Sequence, residues 1–279
     1  MISRRKEATA IRAFVYAGTI LTLLILVSVV GYILVMGIPN ISPDLFKWRY
    51  TTENVSLLPA LVNTILITFI SLLLAVPLGI FAAVYLVEYA RKGNVVVKLV
   101  RITAETLSGI PSIIYGLFGM LFFVTTMGFR MSLLSGALTL SIMILPIIMR
   151  TTEEALIAVP AEYREGSFGL GAGKLRTVFK VVLPSAIHGI LAGIILSIGR
   201  IVGETAALIY TAGTVAEIPG SLFDSTRTLS VHMYTLSSEA LYIKQAYATA
   251  VVLLVIVIGI NSLSAYLAKK IGRRTYEKD

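Results

Sequence analysis

The chain has 279 residues, of which 57% are hydrophobic and 14% charged, and its mean hydropathy of +0.88 indicates an integral membrane protein. A formal net charge of +9 would suggest nucleic-acid binding in a soluble protein, but the basic residues stand between apolar runs and not among aromatic ones, so no nucleic-acid partner is expected. The chain has no cysteine, which excludes disulfides, thiolate chemistry and zinc sites that use sulfur.

The first half of the chain predicts three membrane spans. A basic N-terminus leads into an apolar run at 13–36, which is longer than the core of a signal peptide and long enough to cross roughly 30 Å of hydrocarbon. We therefore interpret it as a retained helix. A polar stretch at 37–58 that contains Trp48 predicts an outer loop, and two further spans are expected at 59–87 and 106–127.

Small residues and prolines give these spans more detail. Ala75, Gly79 and Ala83 follow one another at four-residue intervals, so one face of the second span is expected to pack closely against a neighbouring helix. In the third span, Pro111 and nearby glycines loosen the helix. A kink that serves packing is favoured there over a role in lining a pathway.

The second half predicts three more spans. They lie at 133–149, where Pro146 is expected to break the helix, at 187–210 and at 247–267. We therefore predict an all-α membrane protein with six transmembrane helices. It divides into an N-terminal part with the first helix and outer loop (1–58), a transmembrane domain (59–267) with a cytoplasmic loop at 150–184, and a basic tail (268–279).

The distribution of basic residues predicts the orientation. With the N-terminus in the cytoplasm, 18 of the 24 Lys and Arg residues lie on the cytoplasmic side. Arg200 lies within a span, and the outer side has Lys47, Arg49, Arg130, Arg227 and Lys244. Both termini and the polar segment at 150–180 are therefore expected in the cytoplasm.

The polar segment predicts two short helices. Pro160 suits a first helical turn, Glu162 and Glu165 lie near the positive end of that helix, and the glycines at 169–173 end it. A second helical stretch at 174–182 leads back to the membrane. Because an isolated helix of this length is marginal in water, a partner protein is expected to hold it.

The letters GLGAGK in this segment do not form a phosphate-binding loop. The Walker pattern requires a glycine five residues before Gly173 and a Ser or Thr after Lys174, but the chain has Phe168 and Leu175 there. The chain is therefore not expected to hydrolyse a nucleotide itself. Energy for transport against a gradient must come from a partner or from a coupled ion.

The spacing in this loop resembles the EAA motif of ABC-transporter permeases. The matching positions are Glu165, Gly166, Ser167, Gly171, Val181, Leu183 and Pro184, with Gly166, Ser167 and Val181 in place of two alanines and an isoleucine. The resemblance implies a type I ABC importer permease fold in the cell membrane. It also implies that the loop is a coupling helix that docks on an ATPase subunit.

Three further stretches, at 77–90, 109–119 and 199–213, resemble the phosphate-specific permeases of that family, and the chain length resembles the shorter, PstA-type subunit. The resemblance implies that the chain forms half of a pore with a second permease subunit. Two ATP-binding subunits and an extracytoplasmic phosphate-binding protein would complete the importer. No cofactor or metal is expected.

Independently of the family, two charges in the fifth span predict a function. At 100° per residue, Ser197, Arg200 and Glu204 fall on one small, polar face of the helix. A charge at this depth costs about 2.5 to 3.5 kcal/mol on insertion scales. Arg200 and Glu204 either neutralise each other to hold the bundle together, or line the substrate path with Arg200 as the anion contact.

The chemistry of phosphate favours the second alternative. A guanidinium is a planar fork of permanently charged donors that can hold two oxygens of a tetrahedral anion. Glu204 would then orient Arg200 and compete for it, which keeps the anion from being trapped. Elsewhere, Glu105 is expected to pair with Arg101, and Arg227 and His232 are expected at the surface of the outer loop.

Three other functions remain open. The same architecture could import molybdate or sulfate. A secondary transporter would carry its anion with this chain alone and an ion gradient. An intramembrane enzyme is disfavoured because the spans contain no cluster of catalytic residue types.

Overall fold

The computed structural model describes residues 2–91 and 93–276, with side chains described at 11–91, 93–263 and 266. The described residues are helical or irregular and form no β-strand, which confirms the all-α prediction. The α-helices are α1 (Ile2–Gly37), α2 (Leu58–Val84), α3 (Val95–Ser108), α4 (Ser112–Gly119), α5 (Leu133–Ile157), α6 (Ala161–Gly169), α7 (Lys174–Thr177), α8 (Leu183–Val202), α9 (Ala206–Thr211), α10 (Leu229–Ser238) and α11 (Ile243–Tyr276).

Three π-helical turns lengthen these helices. Tyr85–Tyr89 extends α2, Met120–Thr126 extends α4, and Val178–Val182 joins α7 to α8. Five of the resulting described helices are long and apolar enough to cross a membrane, and the bent pair α3–α4 makes a sixth. The six-span prediction agrees with this count when the bent pair is taken as one span. Of the predicted basic tail, α11 includes the backbone up to Tyr276, and residues 277–279 lie outside the described part of the chain.

The third span differs from its prediction. α3 ends at Ser108 and α4 begins at Ser112, and the two helices meet at an angle of 103°. Pro111 explains the break, because proline lacks the backbone donor that a continuing helix needs and disfavours helical geometry in the residue before it. The predicted third span is therefore a bent pair of helices, Val95–Ser108 and Ser112–Thr126, rather than one kinked helix over 106–127.

The fourth span is longer than predicted and is not broken. α5 continues through the buried Pro146 and ends only at Ile157. A proline inside a span is tolerated where neighbouring helices surround the freed backbone groups, and most residues of α5 are buried. Prediction failed here because the sequence shows the proline but not its neighbours.

α5 is the central helix, and α2 and α8 pack along it. The predicted small-residue face of α2 makes one of these contacts: Ala75, Gly79 and Ala83 are all buried. A Cβ on Gly79 would lie 2.8 Å from Cγ2 of Ile148 in α5. The prediction of a close helix–helix contact on this face is confirmed.

α3 is tied to α5 by an ion pair. Nη2 of Arg101 lies 2.7 Å from Oε1 of Glu153, whose side chain is largely buried. The predicted pairing of Arg101 with Glu105, one turn along the same helix, is therefore wrong. Arg101 pairs with a residue of another helix because the 103° bend brings α3 alongside α5.

Candidate functional site

The predicted fifth span is two helices rather than one. α8 ends at Val202, Gly203–Thr205 is not helical, and α9 begins at Ala206. Glycine has a low helix propensity, and the chain uses Gly203 to end α8. The helical projection that placed Glu204 on the same face as Arg200 assumed a continuous helix and is wrong at this point.

Arg200 lies in the last turn of α8 and is partly exposed. A cation at this end of a helix is favoured by the helix dipole. The ion pairs formed by the described side chains do not include Arg200, although it is close enough to Tyr115 of α4 to act on it electrostatically. The guanidinium is thus held beside the break without an acidic partner among those side chains.

Glu204 lies in the break and is buried. Its Oε1 accepts a hydrogen bond of 3.1 Å from the backbone N–H of Ala207, and its carbonyl accepts one of 2.5 Å from Oγ of Ser230 in α10. The carboxylate therefore caps the start of α9, where a helix has unpaired N–H groups. The alternative in which Arg200 and Glu204 neutralise each other is not present in the structure.

Ser197 lies one turn before Arg200 in α8. It is fully buried, and its hydroxyl donates a hydrogen bond of 2.9 Å to the carbonyl of Gly193. A Cβ on Gly193 would overlap Thr151, so this face of α8 packs tightly against α5. The hydroxyl of Ser197 is thus occupied by the backbone of its own helix, on a face that serves packing, and the hydrogen bonds of the described side chains do not join it to Arg200 or Glu204.

α9 is held in place by α4. A Cβ on Gly116 would lie 2.7 Å from Cα of Ala207, so the two backbones pass almost in contact. Only glycine leaves room for such an approach. The residues after the break are thus fixed against the bent third span, next to Tyr115.

The loop at 150–184 has the predicted helices. α6 begins after Pro160, ends at Gly169 and is followed by a reversal in which Gly171 has a φ of +81°, a conformation that favours glycine. The hydroxyls of Ser167 and Thr177 are 2.8 Å apart and join α6 to α7. The chain then continues through Leu183 and the exposed Pro184 into α8.

This loop presents an exposed apolar surface, which we call the coupling knob. It consists of Tyr163, Phe168, Leu170 and Leu175, and the side chain of Leu170 is 91% exposed. α6 buries none of its residues, and Glu165 and Gly166 are also exposed. Exposed apolar patches of this kind mark protein interaction sites.

Sequence reasoning missed the residue that attaches the coupling knob to the membrane domain. The guanidinium of Arg164 donates to Oε1 of Glu88, at 2.8 Å from Nη2 and 3.0 Å from Nε. It also donates to the carbonyls of Val159 and Leu156, at 2.8 and 2.9 Å. Nearby, Nζ of Lys174 lies 4.9 Å from the ring centre of Tyr89. The available signal was Glu88, an acidic residue at the end of an apolar span.

The prediction that Arg227 and His232 lie at the surface is wrong. Arg227 is 4% exposed and His232 is fully buried, because α10 packs against α2, α9 and α11. Burial, helped by the nearby charge of Arg227, lowers the pKa of His232 from 6.5 to about 3. The Val55 backbone opposes this shift weakly, without a well-aligned hydrogen bond to the ring. His232 is therefore neutral at ordinary pH.

Comparison with known families identifies this arrangement. Residues 75–275 match the family described as binding-protein-dependent transport system inner membrane component. A probable ABC transporter permease protein of Bacillus subtilis (strain 168), YqgI, is 34% identical over 90% of this chain and 91% of its own length. The phosphate transport system permease protein PstA 1 of Mycobacterium tuberculosis (strain CDC 1551 / Oshkosh) is 36% identical over 77% of this chain and 71% of its own length.

Solved structures give the same fold. A bacterial ABC transporter involved in the import of the acidic polysaccharide alginate matches with a TM-score of 0.65 and 16% identity, over 92% of this chain and 96% of that one. The MetNI methionine ABC transporter matches in an inward-facing conformation with a TM-score of 0.57 and 20% identity, over 76% of this chain and 93% of that one. The chain thus belongs to the binding-protein-dependent inner-membrane permeases of ABC importers, is similar to their phosphate permeases, and has the type I fold.

Proposed function

We propose that the chain is one of two permease subunits of an ATP-driven importer of inorganic phosphate. The observation that carries the proposal is the guanidinium of Arg200, held at a break in a membrane helix without an acidic partner among the described side chains. Relatives described as phosphate permeases, at 33% to 36% identity, support the choice of anion.

The proposed assembly contains two permeases, two ATP-binding subunits and an extracytoplasmic phosphate-binding protein, with both termini of this chain in the cytoplasm. The ATPase subunits bind the coupling knob. When the two ATPase subunits close on each other, they move α6, α7 and α8. The matched alginate importer has been solved with an alginate-bound periplasmic protein, which supports a binding protein as a partner. Anion transfer then takes place by alternating access between Arg200 and the two sides of the membrane.

Uptake competition tests the anion. Cells or proteoliposomes that contain the whole complex should take up labelled phosphate, and unlabelled phosphate should compete at least about tenfold more strongly than sulfate or molybdate. A complex that prefers either of the other oxyanions would leave the architecture unchanged and contradict phosphate. Uptake by this chain alone, driven by an ion gradient, would contradict the importer and indicate a secondary transporter.

A cysteine crosslink tests the coupling knob. Because the chain has no cysteine, Leu170→Cys introduces a single thiol at its most exposed apolar side chain. A short crosslinker at this thiol is expected to capture an ATP-hydrolysing subunit. Leu241→Cys, which is 78% exposed in the connection between α10 and α11, is the matched control and should not capture it. Equal capture at both positions, or none at Leu170→Cys, would contradict the docking role.

A further inference from the structure

A second group of buried polar side chains lies at the end of the bundle opposite the coupling knob. It consists of Asn63 near the start of α2, Arg227 just before α10 and His232 within α10. Asn63 precedes Glu88, the partner of Arg164, by about 37 Å of helix. The function proposed above assigns no role to this group.

Arg227 is a buried guanidinium without a counter-charge. Its Nε and Nη2 are buried and make no hydrogen bond with the described residues, and the ion pairs formed by those residues do not include it. Its guanidinium carbon lies 4.7 Å from the ring centre of Tyr50. The aromatic ring offsets part of the cost of burying this charge, and an anion would offset the rest, so the site favours a negatively charged ligand.

The backbone around Arg227 is fixed. Its backbone N–H donates a hydrogen bond of 3.0 Å to the carbonyl of Val215. Its own carbonyl accepts a hydrogen bond of 3.2 Å from Nδ2 of Asn63. Nδ2 of Asn63 also donates a hydrogen bond of 2.9 Å to the carbonyl of Glu217. With both amide hydrogens used, the free group of Asn63 is Oδ1, which is buried and has no donor among the described residues.

His232 adds both a donor and an acceptor. Neither ring nitrogen has a well-aligned hydrogen-bond partner among the described residues, although the backbone of Val55 lies near enough to act on the ring, and the ring meets Tyr50 edge-on with centres 6.1 Å apart. A neutral imidazole has one N–H and one bare nitrogen. The group therefore combines donors from Arg227 with acceptors from Asn63 and His232, and the N–H of His232 faces the Val55 backbone.

This combination fits one class of anion best. A phosphate ion that retains a proton has oxygens for the guanidinium and an O–H group for Oδ1 of Asn63 or the bare nitrogen of His232. Sulfate has no O–H group at neutral pH and would leave both acceptors unpaired. Burying an unpaired acceptor costs binding energy, so a site built on this donor and acceptor set discriminates against sulfate.

The group is connected to the break beside Arg200. Ser230, in the first turn of α10, donates its hydroxyl to the carbonyl of Glu204. The backbone N–H of Leu229 donates a hydrogen bond of 2.8 Å to Oγ1 of Thr64, the residue that follows Asn63. The start of α10 thus joins the buried group to the residues between α8 and α9.

We propose that Arg227, His232 and Asn63 form a second anion site, which accepts protonated phosphate one step outward from Arg200. Tyr50 covers the guanidinium, so the anion reaches it when the segment at 47–57 moves aside. The identification of the anion with the transported substrate rests on the phosphate importer proposed above. The site itself is tested without transport.

The test is equilibrium binding of labelled inorganic phosphate to the purified complex of permease and ATPase subunits, without binding protein. Arg227→Met should weaken phosphate binding at least about tenfold, while the unliganded complex unfolds at the same or a higher temperature, because an apolar side chain replaces an uncompensated charge. Arg130→Met, at an exposed arginine on the same outer loops, should leave binding unchanged. His232→Phe should retain assembly and remove the preference for phosphate over sulfate.

Two results would overturn the site: phosphate binding that is the same in Arg227→Met as in the unmodified complex, or sulfate that competes equally with phosphate before any substitution. The first would indicate that bound water satisfies these groups. Failure of the proposed function would give a different result, namely no phosphate uptake by the complete importer. Phosphate binding that depends on Arg227 would support the site even then.

Discussion

Replacing Arg200 by glutamine is expected to lower phosphate uptake by at least about a hundredfold. Glutamine retains hydrogen-bonding capacity but loses the charge and the planar fork. The loss of two charge-assisted hydrogen bonds, of about 1.5 kcal/mol each, corresponds to a fall in uptake of about a hundredfold. The measurement is the initial rate of labelled phosphate uptake by the complete importer, with subunit assembly checked by copurification.

Two further variants define the role of Arg200. Arg200→Lys keeps the charge without the fork and should retain uptake at a level between the unmodified protein and Arg200→Gln. Arg130→Gln makes the same chemical change at an exposed arginine and should leave uptake near its normal rate. Normal uptake in Arg200→Gln would show that the residue serves only the structure of the helix end.

Replacing Arg164 by methionine is expected to separate ATP hydrolysis from transport. The substitution leaves the carboxylate of Glu88 buried without its partner and frees two carbonyls at the end of α5. Removing one partner of such a pair destabilises the local structure by about 3 kcal/mol or more. Uptake should fall at least about twentyfold while ATP hydrolysis by the copurified subunits continues.

Arg150→Met is the matched control for this experiment. Arg150 pairs with Glu154 on the same side of the protein, but both side chains are more than half exposed, and exposed pairs contribute little. A second variant, Glu88→Gln combined with Arg164→Met, removes the unpaired charge and should recover stability but not coupling. Parallel loss of ATP hydrolysis and uptake in Arg164→Met, with normal assembly, would contradict the role of Arg164 in coupling hydrolysis to transport.

Local patterns predicted the spans and the coupling segment. Six apolar runs, the small-residue face of α2 and the helix between Pro160 and Gly169 all follow from hydropathy, helix propensity and spacing along the chain. These features depend on residues a few positions apart. They therefore survive in any tertiary arrangement that keeps the chain in a membrane.

The features that sequence reasoning missed depend on contacts between distant segments. Pro146 breaks no helix because neighbours surround α5, whereas Gly203 ends α8 where a continuous span was expected. Arg227 and His232 follow a long loop, and only the packing of α10 shows that they are buried. The pairing of Arg164 with Glu88 spans 76 positions along the chain, which no periodicity indicates.

The bend between α3 and α4 leaves a short apolar segment to face the lipid. After the turn of 103°, Ser112–Thr126 contains 15 residues and rises roughly 22 Å, about 8 Å less than the hydrocarbon layer. Lipid beside this segment would have to thin, at a cost of a fraction of a kcal/mol for each Å. In the proposed importer, a second permease subunit that covers Ser112–Thr126 would remove that deformation, so the elasticity of the bilayer would favour the association of the two subunits.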